Sequence, residues 1–114
     1  MLSKSRRISK ADFPYILAQG RRFNSEHLLL YSAPMKNTAE PSRFSFSISK
    51  KVAAKASDRN RQRRRGYASL HNLLPFLKTG SFSFFSFKKG GHAIPAAVIG
   101  SEARKLLLEA GVLL

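Results

Sequence analysis

Eight of the seventeen residues from Ser49 to Arg65, in the run SKKVAAKASDRNRQRRR, are lysine or arginine, and Asp58 is the only acid among them. Ammonium and guanidinium groups at this density bind phosphate oxygens well, and the arginine fork can take two at once. A protein core does not accommodate that much unpaired charge, so the segment faces a polyanion or solvent. Asn60, between Arg59 and Arg61, adds a side chain that both donates and accepts hydrogen bonds. Beside this segment, Arg43-Phe44-Ser45-Phe46-Ser47-Ile48-Ser49 alternates large apolar with small polar residues. Period two puts Phe44, Phe46 and Ile48 on a buried face. Ser45, Ser47 and Ser49 then line a shallow polar face suited to a groove floor. Other reactive side chains are sparse. His27, His71 and His92 lack metal-ligand spacing, Asp58 suits the first turn of a helix, and Lys88-Lys89-Gly90-Gly91 reads as a basic turn with no phosphate-loop pattern.

The elements that position these residues follow from periodicity and breakers. Ser9 to Asp12 has the form of an N-terminal cap, and Phe13, Ile16 and Leu17 recur at helical spacing, so a helix is expected over roughly Lys10 to Gln19, with Gly20 stopping it. Phe23 to Ser32 reads as one strand, Pro34 to Pro41 as a loop, and Arg43 to Ser49 as a strand. A helix is expected from Ser57 or Asp58 to about Leu74, where Pro75 blocks it. Arg61 shares a face with Arg65, and Arg59 with Arg63, so like charges repel along the isolated helix until an anion arrives. Ser81 to Phe87 is a further strand whose alternation slips at Phe84-Phe85, which calls for a bulge or for cover on both faces. Alternation also assigns Phe44, Phe46, Phe82 and Phe84 to the core. A last helix, marked by Ala103, Leu106, Leu107 and Ala110, runs from about Gly100 towards Gly111.

The chain totals agree with a phosphate-rich partner: 21 Lys+Arg against 6 Asp+Glu give a formal net charge of +15, with a pI near 11.3. Counterion release on meeting nucleic acid turns that self-repulsion into salt-dependent affinity. The 114 residues, 43% of them hydrophobic, suit a single folded domain over 1–114 rather than a disordered basic tail. Without cysteine there is neither disulfide nor thiolate metal site. No apolar run approaches the roughly 18 to 20 residues of a membrane span. The basic start, Met1 to Lys10, is not followed by a signal-type apolar stretch, so a soluble cytoplasmic protein is expected. Anionic lipid is the competing polyanion, but the charged end of the basic helix has little apolar face to insert.

Phe44-Ser-Phe-Ser-Ile-Ser-Lys-Lys-Val52, a short Ala/Lys spacer and Arg59-Asn60-Arg61-Gln62-Arg63-Arg64-Arg65 together resemble the protein component of bacterial ribonuclease P. Asp12-Phe13 in the first helix, Gly20 with Arg21 and Arg22, and the closing run from Leu107 to Leu113 extend the resemblance over nearly the whole chain. It implies an α+β fold: a compact α/β sandwich with a left-handed β-α-β crossover, similar to a domain of a small-subunit ribosomal protein. It implies an RNA-binding subunit of an endoribonuclease whose chemistry is carried by RNA with Mg2+, removing the 5′ leader from precursor tRNA. No catalytic residue and no protein metal site is then expected. The partners implied are the catalytic RNA, one protein per RNA, and precursor tRNA, with no membrane. Carried over by position, Lys50, Lys51, Arg59, Asn60, Arg61, Arg63, Arg64 and Arg65 form the RNA-contacting set, and Phe13, Ser47 and Ser49 belong to a leader cleft. The alternative on the same fold is a structural ribosomal or ribosome-associated RNA-binding protein. Within the motif this chain carries Gln62 and Gly66 where the family has apolar residues. Gly66 is expected to cost the helix about 1 kcal/mol relative to alanine.

Overall fold

The computed structural model describes residues 4–114; Met1 to Ser3, at the head of the basic start, lie outside the described residues. In chain order the elements are a 3-10 turn at Lys10–Asp12 running into α1 (Phe13–Gln19), then β1 (Arg21–Asn24), β2 (Leu28–Pro34), β3 (Arg43–Ser47), α2 (Ala56–His71), β4 (Ser81–Phe87) and α3 (Ala96–Glu109). The strands form one sheet in the order β1-β2-β4-β3. β4 runs antiparallel to β2 and parallel to β3, and the β3-to-β4 connection passes through α2. This is the expected α+β class.

The slip at Phe84-Phe85 comes from cover on both faces. β4 pairs without interruption with both neighbours, so no bulge is present. Phe85 and Phe87 point with Leu28, Leu30, Phe44 and Phe46 into a core closed by α2 and α3. Phe82 points the other way, into a smaller cluster with Ile8, Ile16, Ala33 and Met35 beneath α1. Phe84 shares that second face and is only half-buried, which corrects its assignment to the core. Strand alternation dictates both outcomes: adjacent phenylalanines on one strand must face opposite sides.

Three element boundaries also differ from expectation. The stretch from Phe23 to Ser32 is a hairpin of two strands, not one strand. At its turn Ser25 N–H donates to Leu28 O at 2.9 Å, and Ser25 Oγ and His27 N–H both donate to Glu102 on α3, which fixes the corner. α2 starts at Ala56 after Lys55 and ends at His71, so neither Ser57 nor Asp58 caps it and Leu73 and Leu74 follow the helix. α3 starts at Ala96, a turn earlier than expected, directly after Pro95, whose fixed φ suits a helix entry. It buries Ile99, Ala103, Leu106 and Leu107 along one stripe.

Gln62 and Gly66, the two departures in the basic helix, form its buried face with Tyr67 and Leu70. A Cβ at Gly66 would lie 2.6 Å from the Phe46 ring, so glycine is what lets α2 approach a strand bearing phenylalanine. Phe46 is held flat against Phe85 (centroids 4.7 Å, 8°) and edge-on to Tyr67 (5.4 Å). β3 is an edge strand, and two outward backbone groups are capped: Ile8 N–H donates to Phe44 O (3.1 Å), and Phe46 N–H to Tyr67 Oη (3.3 Å). Gln62 is fully buried. Its amide donates to Gly91 O (2.8 Å) and Ile94 O (3.2 Å), which ties α2 to the segment leading into α3.

Candidate nucleic-acid interface

Arg43, Ser45 and Ser47 alternate onto the α1 face of β3, and β4 adds Phe84 beside them. α1 crosses above this face, and its Phe13 and Leu17, four residues apart, point to the same flank. Phe13 meets Phe84 edge-on with centroids 5.1 Å apart. Where α2 passes the edge of β3, Arg63 closes the side. Phe13, Leu17, Ser45, Phe46, Ser47, Phe84 and Arg63 thus line one open groove of about 420 Å3. The groove has an aromatic wall and floor, small hydroxyls able to donate, and a guanidinium at its rim. Such a site holds a single nucleic acid strand by stacking and phosphate contact.

Ser47 and Phe13 both line this groove. Ser49 does not line it: it is exposed beyond the end of β3, where its carbonyl accepts from the N–H groups of Val52 and Ala53 (both 3.1 Å). Leu17 and Phe84 are groove residues that sequence reading missed. The α1 spacing held the signal for Leu17, and the Phe84-Phe85 slip held it for Phe84.

The basic set divides by what each side chain already holds. Lys50, Lys51 and Arg64 are exposed. Arg61 is exposed and paired with Asp58 at 2.7 Å, a surface pair that a phosphate can replace. Arg63 is half-buried and donates to Asn60 Oδ1, so Asn60 orients the guanidinium at the groove rim. Arg59 donates through Nη1 to Ala53 O (2.9 Å) and Ala54 O (2.8 Å), fastening the loop that precedes α2. Arg65 donates to Gln62 Oε1 (3.0 Å) and Ile94 O (3.1 Å). Arg59 and Arg65 are therefore fixed to backbone carbonyls of their own chain, Arg61 and Arg63 are each held by a side chain of the same helix, and Lys50, Lys51 and Arg64 are exposed.

A larger hollow of about 590 Å3 lies on the other flank of α1, between Tyr15, Met35, Phe82 and Arg43. Asp12 and Glu40 stand there against Lys36 and Arg43, so its charge is mixed and a polyanion is better served by the Arg63 side.

One polar cluster was not legible in the sequence. Glu102 on α3 accepts from the backbone N–H of His27 (2.7 Å) and from His27 Nδ1 (2.6 Å), and Ser25 Oγ donates to the same carboxylate. Burial opposes ionisation of Glu102. The hydrogen bonds from Ser25 and His27, with the charge of His27, outweigh burial and hold the carboxyl below its ordinary value. Because serine and histidine both address the carboxylate and not each other, the trio is a clasp between hairpin and helix rather than a nucleophile with its base. Among the described residues no three His, Cys, Asp or Glu side chains gather into a metal-ligating group, and no helix is long and apolar enough to cross a membrane.

Known proteins resemble this chain in sequence and in fold. A family model described as Ribonuclease P matches residues 1–111. The ribonuclease P protein component of a Cyanothece species is 39% identical over 70% of this chain and 72% of its own length. That of Microcystis aeruginosa is 32% identical over 91% of this chain and 88% of its own. Among solved structures, the Staphylococcus aureus RNase P protein superposes with a TM-score of 0.85 at 20% identity, covering 97% of this chain and all of that one. The Thermotoga maritima RNase P protein reaches a TM-score of 0.80 at 17% identity over 90% of this chain and 96% of that one. Matched by the family model over residues 1–111 and 32% identical to a curated relative over 91% of its length, the chain belongs to the ribonuclease P protein family.

Proposed function

We propose that this chain binds the RNA of bacterial ribonuclease P through the outward cations of the α2 region, and holds the 5′ leader of precursor tRNA in the groove beside α1. Family membership makes it the protein component of an endoribonuclease complex that processes tRNA. The observation that carries the finer reading is Arg63, which belongs to the basic helix and also lines the groove with Phe13, Ser47 and Phe84. Through that residue, one surface addresses a structured RNA and the single strand emerging beside it. Lys50, Lys51 and Arg64 are the cations free to exchange solvent for phosphate, and Arg61 can exchange Asp58 for it; Asn60 acts by orienting Arg63. In this reading the cleavage chemistry and its Mg2+ ions belong to the RNA. The protein strengthens substrate binding and neutralises phosphate repulsion, one copy per RNA, in the cytoplasm where precursor tRNA is made.

Reconstitution tests the assignment. Purified protein and a bacterial ribonuclease P RNA are combined with labelled precursor tRNA at low magnesium and physiological salt, and leader release is scored. The protein is expected to stimulate cleavage, and Arg61→Ala to weaken RNA affinity several-fold with a shallower salt dependence. Phe13→Ala is expected to weaken binding of leader-bearing tRNA and to spare leaderless tRNA. Equal loss on both substrates removes Phe13 from the leader site. No stimulation, with tight binding to ribosomal RNA fragments instead, transfers the chain to a structural ribosomal role.

A further inference from the structure

The floor of the groove does not end at β4. Strand registers align Ser45 with Phe84, Phe84 with Tyr31, and Tyr31 with Arg22, so one transverse row crosses all four strands on the α1 face. Three side chains of that row touch in sequence. Phe84 stacks on Tyr31 (centroids 5.8 Å, 22°), and the Arg22 guanidinium lies over the Tyr31 ring at 5.5 Å. Next to it a second row, Ser47, Ser86, Leu29 and Asn24, continues the same face. α1 walls the first row along its length, with Phe13 and Leu17 at the β3 end and Gly20 against Tyr31 Cβ at the other. The face is thus bounded by an arginine at each edge of the sheet, Arg63 at β3 and Arg22 at β1.

We propose that Arg22 is the distal phosphate anchor of this groove, so that single-stranded RNA crosses the strands from Arg63 to Arg22. The proposal rests on the reading of the groove as the leader site and extends it to a length and a direction. Arg22 is exposed, no carboxylate pairs with it among the described residues, and its guanidinium rests over the Tyr31 ring, a contact that uses the ring face and not the N–H donors. Strands lie about 4.8 Å apart, so three steps separate β3 from β1 by about 14 Å. That is about four nucleotides at the axial rise of a stacked strand, roughly 3.4 Å, and fewer for an extended one. Affinity should therefore rise with leader length until a phosphate reaches Arg22, and then level off. The neighbouring Arg21 supplies an internal control, because alternation sends it to the opposite face, over Phe23 at 5.1 Å.

The experiment measures equilibrium binding of precursor tRNA carrying leaders of about two or about eight nucleotides to the reconstituted holoenzyme. Arg22→Ala is expected to weaken the long-leader substrate about fivefold and leave the short-leader substrate unchanged. Arg22→Lys should recover part of the loss, and Arg21→Ala, which removes the same charge, should leave the long-to-short ratio as in the wild type. An unchanged ratio in Arg22→Ala, or an equal fall in Arg21→Ala, overturns the anchor. Phe13→Ala in the same assay separates the two ideas. If it lowers the ratio while Arg22→Ala does not, the groove reading stands and the anchor falls; if neither lowers it, both fall.

Discussion

Arg59 and Arg64 lie on one helix, five positions apart, and their guanidinium groups have different work. Arg59 satisfies the carbonyls of Ala53 and Ala54 ahead of α2, where a bend leaves backbone acceptors without secondary-structure partners. Arg64 is exposed. Arg59→Ala should therefore lower stability by about 1 to 2 kcal/mol, since hydrogen bonds to a charged donor are among the stronger ones. Arg64→Ala should change stability by no more than about 0.5 kcal/mol and reduce the salt slope of RNA binding by about one. Urea unfolding and salt-dependent binding of the same two variants check the division. Equal stability losses would place both arginines in one class. The sequence shows the density and spacing of these cations plainly, because charge is a property of each residue. Which of them are already committed depends on carbonyls brought near by the fold.

At the scale of elements, α2 meets β3 through an exchange of bulk. The strand carries Phe46 and the helix answers with Gly66, whose missing Cβ is where that ring sits. Read from the sequence, Gly66 is only a weakness in a helix, worth about 1 kcal/mol against alanine. The packing reverses that sign. Gly66→Ala should destabilise by about 1 to 3 kcal/mol, because Phe46 lies between Phe85 and Tyr67 and has little room to retreat. Phe46→Leu in the Gly66→Ala background should recover part of the loss. Thermal unfolding of the two single variants and the double variant measures the coupling, and strictly additive losses would deny the close approach. The strand-forming alternation of Phe44, Phe46 and Ile48 was legible because period two is local. The hairpin at Ser25 to His27 was not, because its corner is held by Glu102 on an element some 75 residues away.

Across the whole molecule, that Glu102 clasp joins the first hairpin to the last helix. The Glu102 carboxyl sits below its ordinary value of 4.5, held there by its donors against the opposing effect of burial. A carboxyl depressed on folding contributes stability that is complete above its unfolded pKa and is lost as pH falls through the folded one. The wild-type unfolding temperature should therefore drop below about pH 4.5, and Glu102→Gln should be less stable at neutral pH and flatter across that window. Parallel pH profiles for both proteins would refute the clasp. Charge, the Ser49-to-Arg65 spacing and the strand and helix periods were all determined by the sequence itself, because each depends on neighbours within a few residues. The groove was decided by tertiary structure. Phe13, Arg63 and Phe84 come together only after α1 crosses the sheet, α2 returns the chain to a parallel strand, and β4 takes the register that turns Phe84 away from the core. No local pattern encodes that meeting, since it depends on register and packing between segments about 20 to 70 residues apart.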